Sequence, residues 1–100
     1  MKKLEIQSVD QLEDILKQRT ADITTSIRDS IQQAFEHNKK TAVLFEITLE
    51  DTDVCFEVSI TTKEWLTALN SCLADYHRWE LEDDAIDTYL LIEKIKQYIS

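Results

Sequence analysis

Neither glycine nor proline occurs in this 100-residue sequence. Glycine reaches left-handed backbone torsions without a Cβ clash and lets a backbone approach a phosphate, while proline fixes a rigid bend. Their absence excludes glycine-rich phosphate-cradling loops of the Walker and Rossmann kinds. It also excludes the usual EF-hand loop, whose sharp turn needs glycine. Turns must instead be built from Asn, Asp, Ser and Thr. Cysteine and histidine are scarce too, with only Cys55, Cys72, His37 and His77 present. None of them forms a Cys-x2-Cys or His-x3-His pair, so a structural zinc site is not expected. No apolar run approaches the roughly 20 residues needed to span a bilayer. The basic pair Lys2-Lys3 is followed by charged and polar residues, which predicts no signal peptide. A cytoplasmic protein with two free thiols, at least one of them packed, is the expectation.

What is present describes one globular domain over residues 1–100. Hydrophobic residues make up 43% and charged residues 31%, which separates the chain from disordered sequences. The net charge is −9 and is unevenly placed. Residues 1–40 carry seven basic and seven acidic side chains, whereas residues 41–100 carry four basic and thirteen acidic ones. The whole excess therefore lies in the C-terminal sixty residues. Such a surface repels nucleic acid and membranes and attracts basic partners.

Periodicity predicts the elements. Lys3-Leu4-Glu5-Ile6 reads as a short edge strand or a lead-in. Ser8 and Gln11 form a capping box that starts a helix at Val9. Leu12, Ile15, Leu16, Ile23, Ile27, Ile31, Ala34 and Phe35 continue it at spacings of three and four. Unbroken from Val9 to His37, that helix would be about 43 Å long, too long for a domain whose radius of gyration is about 13 Å. A bend near residues 19–25, where β-branched and polar residues gather, is favoured over a projecting end. Asn38 is the natural stop in the absence of glycine.

Val43, Phe45, Ile47 and Leu49 then fall on one face of a strand, and Val54, Phe56, Val58 and Ile60 on one face of a second, opposite Cys55, Glu57 and Ser59. The polar turn Glu50–Asp53 joins them into an antiparallel hairpin. Thr61 and Glu64 form a second capping box, opening a helix with Trp65, Leu66, Leu69, Cys72, Leu73 and Tyr76 on one face. Residues 78–84 read as a connection. The last helix runs from Ala85 to Ile99 and is apolar on more than one face, so it is either central to the core or shared with another subunit. The fold class that follows is α+β, in the order α-β-β-α-α, with the hairpin packed on helices.

The constellation most suggestive of function is acidic. Asp75, Glu80, Glu82, Asp83, Asp84 and Asp87 fall within thirteen residues, about 20 Å if helical. Trp79 lies among them, and tryptophan is enriched at interface hot spots. Metal binding and catalysis find little support. Cys72 and His77 stand about 140° apart around a helix, which argues against a thiolate–imidazole pair. No metal and no cofactor is expected.

These observations point to a non-enzymatic acidic protein that docks on a larger partner with a basic surface, and so inhibits or regulates it. Asp75, Trp79, Glu80, Glu82, Asp83, Asp84 and Asp87 would form the partner-binding surface. The partner class that fits is a nucleic-acid-handling protein, and a phage-borne inhibitor of bacterial defence has this physical description. Direct nucleic-acid or membrane binding is not expected. The alternative is a structural protein whose long helices build a homo-oligomer, in the simplest case a homodimer. The docking reading requires that the acids are not neutralised by basic side chains folded back from the first forty positions.

Overall fold

A computed structural model describes residues 2–99 of the chain. The elements are β1 (Lys2–Ile6), α1 (Val9–Gln18), α2 (Ala21–Glu36), β2 (Thr41–Leu49), β3 (Cys55–Thr61), α3 (Thr62–Arg78) and α4 (Glu82–Ile99). The class is α+β, but the order α-β-β-α-α expected from the sequence is replaced by β-α-α-β-β-α-α. Two local events cause the difference.

The first is that the lead-in is a true strand. β1 runs parallel to β2, from Lys2 opposite Phe45 to Ile6 opposite Leu49. β3 pairs antiparallel on the other side of β2, so the sheet order is β1-β2-β3. A parallel neighbour requires a crossover, and α1 and α2 together supply it.

The second event is the break in the first helix. Arg19 ends α1 in the left-handed region, with φ 44° and ψ 60°. Thr20 then caps α2, its Oγ1 accepting from the Ile23 N–H at 3.4 Å. The favoured bend is thus a full stop and restart within residues 19–20. It leaves helices of about 15 and 24 Å at 1.5 Å per residue.

At the first expected capping box only half of the pair forms: Ser8 Oγ accepts from the Gln11 N–H at 3.4 Å, but Gln11 Oε1 accepts from the N–H of Gln7, one residue before the cap, at 2.7 Å. At the second, the Glu64 carboxylate accepts from the Thr61 N–H at 3.3 Å.

A bulge between Val43 and Phe45 makes Leu44 an extra residue in β2. It changes which side chains face the core. Phe45 and Ile47 are buried as the alternation predicts, but Ala42 and Leu44 are buried in place of Val43. On β3, Val58 and Ile60 pack against the core, whereas Phe56, and Val54 in the turn before the strand, remain exposed.

α2 packs on β2, α3 on β3 and α2, and α4 on α3 with a lesser contact to α2. Ile31, Ile47, Leu69, Cys72, Tyr76 and Ile95 are completely buried where these elements meet. The last helix is therefore an outer one, so its surplus of apolar residues faces solvent.

The helix ends show how a chain without glycine turns corners. α2 stops with Asn38 at φ 55°, and the Lys39 N–H donates to Ala34 O at 2.8 Å. α3 stops in the same way, with Glu80 at φ 58° and the Leu81 N–H donating to Tyr76 O at 2.9 Å. Both are Schellman caps, the motif usually completed by glycine. Left-handed torsions fall on Arg19, Asn38, Asp51 and Glu80. Asn38 and Asp51 are residue types expected at turns. Arg19 and Glu80 are not, and a Cβ in that region costs about 1 kcal/mol or more. Glu80→Gly is expected to raise stability by about 1 kcal/mol, read as a higher urea midpoint at unchanged slope. A lower midpoint would mean that the glutamate side chain stabilises the corner more than its backbone strains it.

Candidate functional site

The α3–α4 corner gathers the residues singled out by the sequence. α3 ends at Arg78, Trp79 caps it, and α4 begins at Glu82, leaving only three residues between the helices. Residues 82–84, read from the sequence as part of a connection, are the first turn of α4. The Ala85 N–H donates to Leu81 O at 3.0 Å and opens that helix without delay. Glu82, Asp83 and Asp84 therefore sit at the positive end of the helix dipole, where carboxylates stabilise it.

Two of the expected surface acids turn inward. Asp75 is only 3% exposed. Its Oδ2 accepts from Arg19 Nε at 2.6 Å and from the Thr24 hydroxyl at 3.0 Å, and its Oδ1 accepts from Arg78 Nη2 at 2.6 Å. Asp84 is half-buried and accepts from Arg28 Nη1 at 3.0 Å. Burial works against the Arg28 charge, but the bond to Asp84 and the nearby Tyr76 and Asp29 outweigh it and hold the guanidinium above its ordinary pKa. Arg28 also lies over the Tyr76 ring, 5.2 Å from its centroid. The Tyr76 hydroxyl shares a 2.7 Å hydrogen bond with Thr25, and burial pushes that phenol's pKa up.

A polar seam thus ties α2 to α3 and α4. Arg19 and Arg28 come from the balanced first forty residues, so folding back does neutralise acids, but only Asp75 and Asp84 of this cluster. Neither is free for a partner.

Glu80, Glu82, Asp83 and Asp87 remain exposed, and among the described residues none has an ion-pair partner. Trp79 is half-buried, edge-on to Tyr76 with centroids 6.3 Å apart, and Arg78 lies over its ring at 5.6 Å. The partly buried Trp79 packs against the core cluster.

The sequence reading missed the apolar residues beside these acids. Leu81, Ile86, Tyr89 and Leu90 are all exposed. The signal was present, because Ile86 and Leu90 lie on the side of α4 opposite Thr88, Ile92 and Ile95. What the sequence lacked was the location of α4 outside the core.

The concavities here are shallow. One of about 360 Å³ is lined by Glu80, Leu81, Glu82, Asp83 and Asp84. A groove of about 430 Å³ between α3 and α4 is lined by Leu73, His77, Glu82, Ala85, Ile86 and Tyr89. Among the described residues, no group of three or more His, Cys, Asp or Glu side chains is placed to hold a metal ion. Cys72 is buried, its Sγ lies 3.6 Å from Thr24 O, and burial pushes its thiol pKa up to about 11. His77 is exposed, so the two do not share a cleft. Cys55 lies exposed on the β3 edge. No helix among the described residues is long and apolar enough to cross a membrane.

No protein-family model, curated protein or solved structure matches this chain.

Proposed function

We propose that this chain is a non-enzymatic interaction module that docks through its α3–α4 corner on a larger protein with a basic surface, and so inhibits or regulates it. The observation that carries the reading is the grouping of Glu80, Glu82, Asp83 and Asp87, all exposed and without ion-pair partners among the described residues, beside exposed Leu81, Ile86 and Tyr89. Apolar residues rimmed by charge are the usual anatomy of a docking surface. The corner is also held rigid by the Schellman cap and the Arg19–Asp75–Arg78 tie, so little ordering entropy is lost on binding. Proteins that handle nucleic acid carry extended basic faces and are the partner class this charge fits. In this reading the protein works in the cytoplasm and needs no cofactor. The shallow concavities, the buried high-pKa Cys72 and the exposed His77 support a role without chemistry of its own.

The test is a triple reversal, Glu80→Lys with Glu82→Lys and Asp83→Lys. Wild-type protein should retain its partner from a host extract at low salt and release it as ionic strength rises, because charge docking is screened. The triple variant should bind that partner at least about tenfold more weakly. Reversing the two acids in the first turn of α4 costs roughly 0.3–1 kcal/mol each, so far-UV circular dichroism must confirm that the variant is folded. A folded variant that captures the partner undiminished would end the reading.

A further inference from the structure

We infer that the outward face of α4 pairs with the same face of a second copy of this chain, the two helices antiparallel about a two-fold axis near Leu90. This goes beyond the docking reading and does not rest on it.

Three exposed apolar side chains form the centre of that face. Ile86, Tyr89 and Leu90 are 56%, 52% and 51% exposed, while Ala85, Thr88, Leu91, Ile92 and Ile95 on the other side are buried. Leu90 lies at the middle of an 18-residue helix, so a two-fold axis there overlaps the helix along its whole length of about 27 Å.

The charges along α4 name the occupant. Its first half carries Glu82, Asp83, Asp84 and Asp87, and its second half carries Lys94 and Lys96 against a single Glu93. A parallel pairing would set the acidic half against its own copy. An antiparallel pairing sets it against the basic half.

The register is specific as well. Asp87 and Lys94 lie on one flank of α4, where both line the groove toward α2 together with Arg28, Glu36 and Leu90. In an antiparallel helix pair, each flank meets the same flank of its copy. With the axis between residues 90 and 91, Asp87 of each chain falls opposite Lys94 of the other, making two symmetric ion pairs. Neither residue has an ion-pair partner among the described residues of its own chain. On the other flank, Glu82 comes within a turn of the opposing Lys96, which in its own chain reaches Glu93 at 3.6 Å.

Two factors limit the strength. One helix pair buries less than the roughly 1,200 Å² of a stable interface. Each copy also carries a charge of −9, which opposes approach. The dimer is therefore concentration-dependent rather than obligate. The pairing covers Glu82, Ile86, Tyr89 and Asp87, so it competes with docking of a larger partner on the same face.

Sedimentation equilibrium up to millimolar protein, in physiological salt, tests the pairing. Wild type should pass from monomer to dimer as concentration rises. Asp87→Lys places four lysines across the axis, and Lys94→Asp places four acids there. Each variant alone should dimerise at least about tenfold more weakly than wild type. An equimolar mixture of the two restores opposite charges at every contact and should form a heterodimer at least as tight as the wild-type dimer. All these positions are exposed, and circular dichroism checks that the fold is intact. Wild type that stays monomeric at every concentration would leave the face to a different partner and overturn the inference. So would a dimer indifferent to both reversals, or a mixture that associates no better than its components.

Discussion

Replacing Asp75 by alanine is expected to cost about 3 kcal/mol of folding stability, near the lower end of what removing one partner of a buried ion pair costs. The carboxylate is held by two arginines and a threonine hydroxyl, each from a different part of the chain. Without it, the Thr24 hydroxyl is left buried and without that acceptor. Arg19 also loses the bond that anchors its left-handed backbone. The figure stays low in the range because the Arg19 and Arg78 side chains are 31% and 61% exposed and can rehydrate. For a domain of this size, the loss lowers Tm by more than about 10 °C. Scanning calorimetry measures it. Arg78→Ala should cost much less, about 1 kcal/mol at most, because that guanidinium is largely in water. Equal losses from the two substitutions, or none from either, would remove Asp75 from its role as the tie between α2 and α3.

Trp65→Ala should be the most damaging single substitution at a core aromatic, with a loss of about 4 kcal/mol. Trp65 is buried one turn into α3, immediately after β3 ends, and its Nε1–H donates to Ile60 O at 3.2 Å. The side chain therefore locks the helix onto the strand that leads into it. Truncation leaves a cavity and removes the side-chain hydrogen bond that ties the helix to the strand at that junction. Against a typical total of 5–15 kcal/mol, such a loss brings the variant close to unfolding near physiological temperature. Urea titration followed by far-UV circular dichroism reads the change. Trp65→Phe keeps most of the volume and loses the hydrogen bond, so it should cost only about 1–2 kcal/mol. A mild effect of the alanine variant would mean that the sheet–helix junction is held elsewhere.

Much of the fold was legible because local patterns are strong here. The Ser8 cap, the Thr61–Glu64 capping box, the alternating hairpin strands and the stop at Asn38 each rest on residues within a few positions of one another. Sequence alone leaves β1 open between strand and lead-in because its partner lies about forty residues away, and five residues carry too little pattern to name it. The impossible length of an unbroken helix implies a bend near Arg19. Its exact form depends on a long-range bond to Asp75 that stabilises an unfavourable torsion. The β2 bulge was invisible because Val43, Leu44 and Phe45 are all apolar, and either register satisfies the alternation.

The acidic corner shows the same division. Composition and spacing identified the cluster, but carboxylates have the same identity in sequence whether they face an arginine or water. Packing of α2 against α3 and α4 decided that Asp75 and Asp84 turn inward while Glu80, Glu82, Asp83 and Asp87 remain outside. For α4, apolar residues on more than one face left two placements open, central or shared. Its position on the outside of α3 resolved which side chains are uncovered.

By itself, the sequence determined the elements, the charge asymmetry and the chemistries that no glycine-free loop can host, because these depend on each residue's own torsions, hydrophobicity and charge. Only the tertiary structure decided the strand order, the neutralised acids and the exposed stripe on α4. Those depend on which distant side chains share a dielectric and a contact, and no local pattern carries that information.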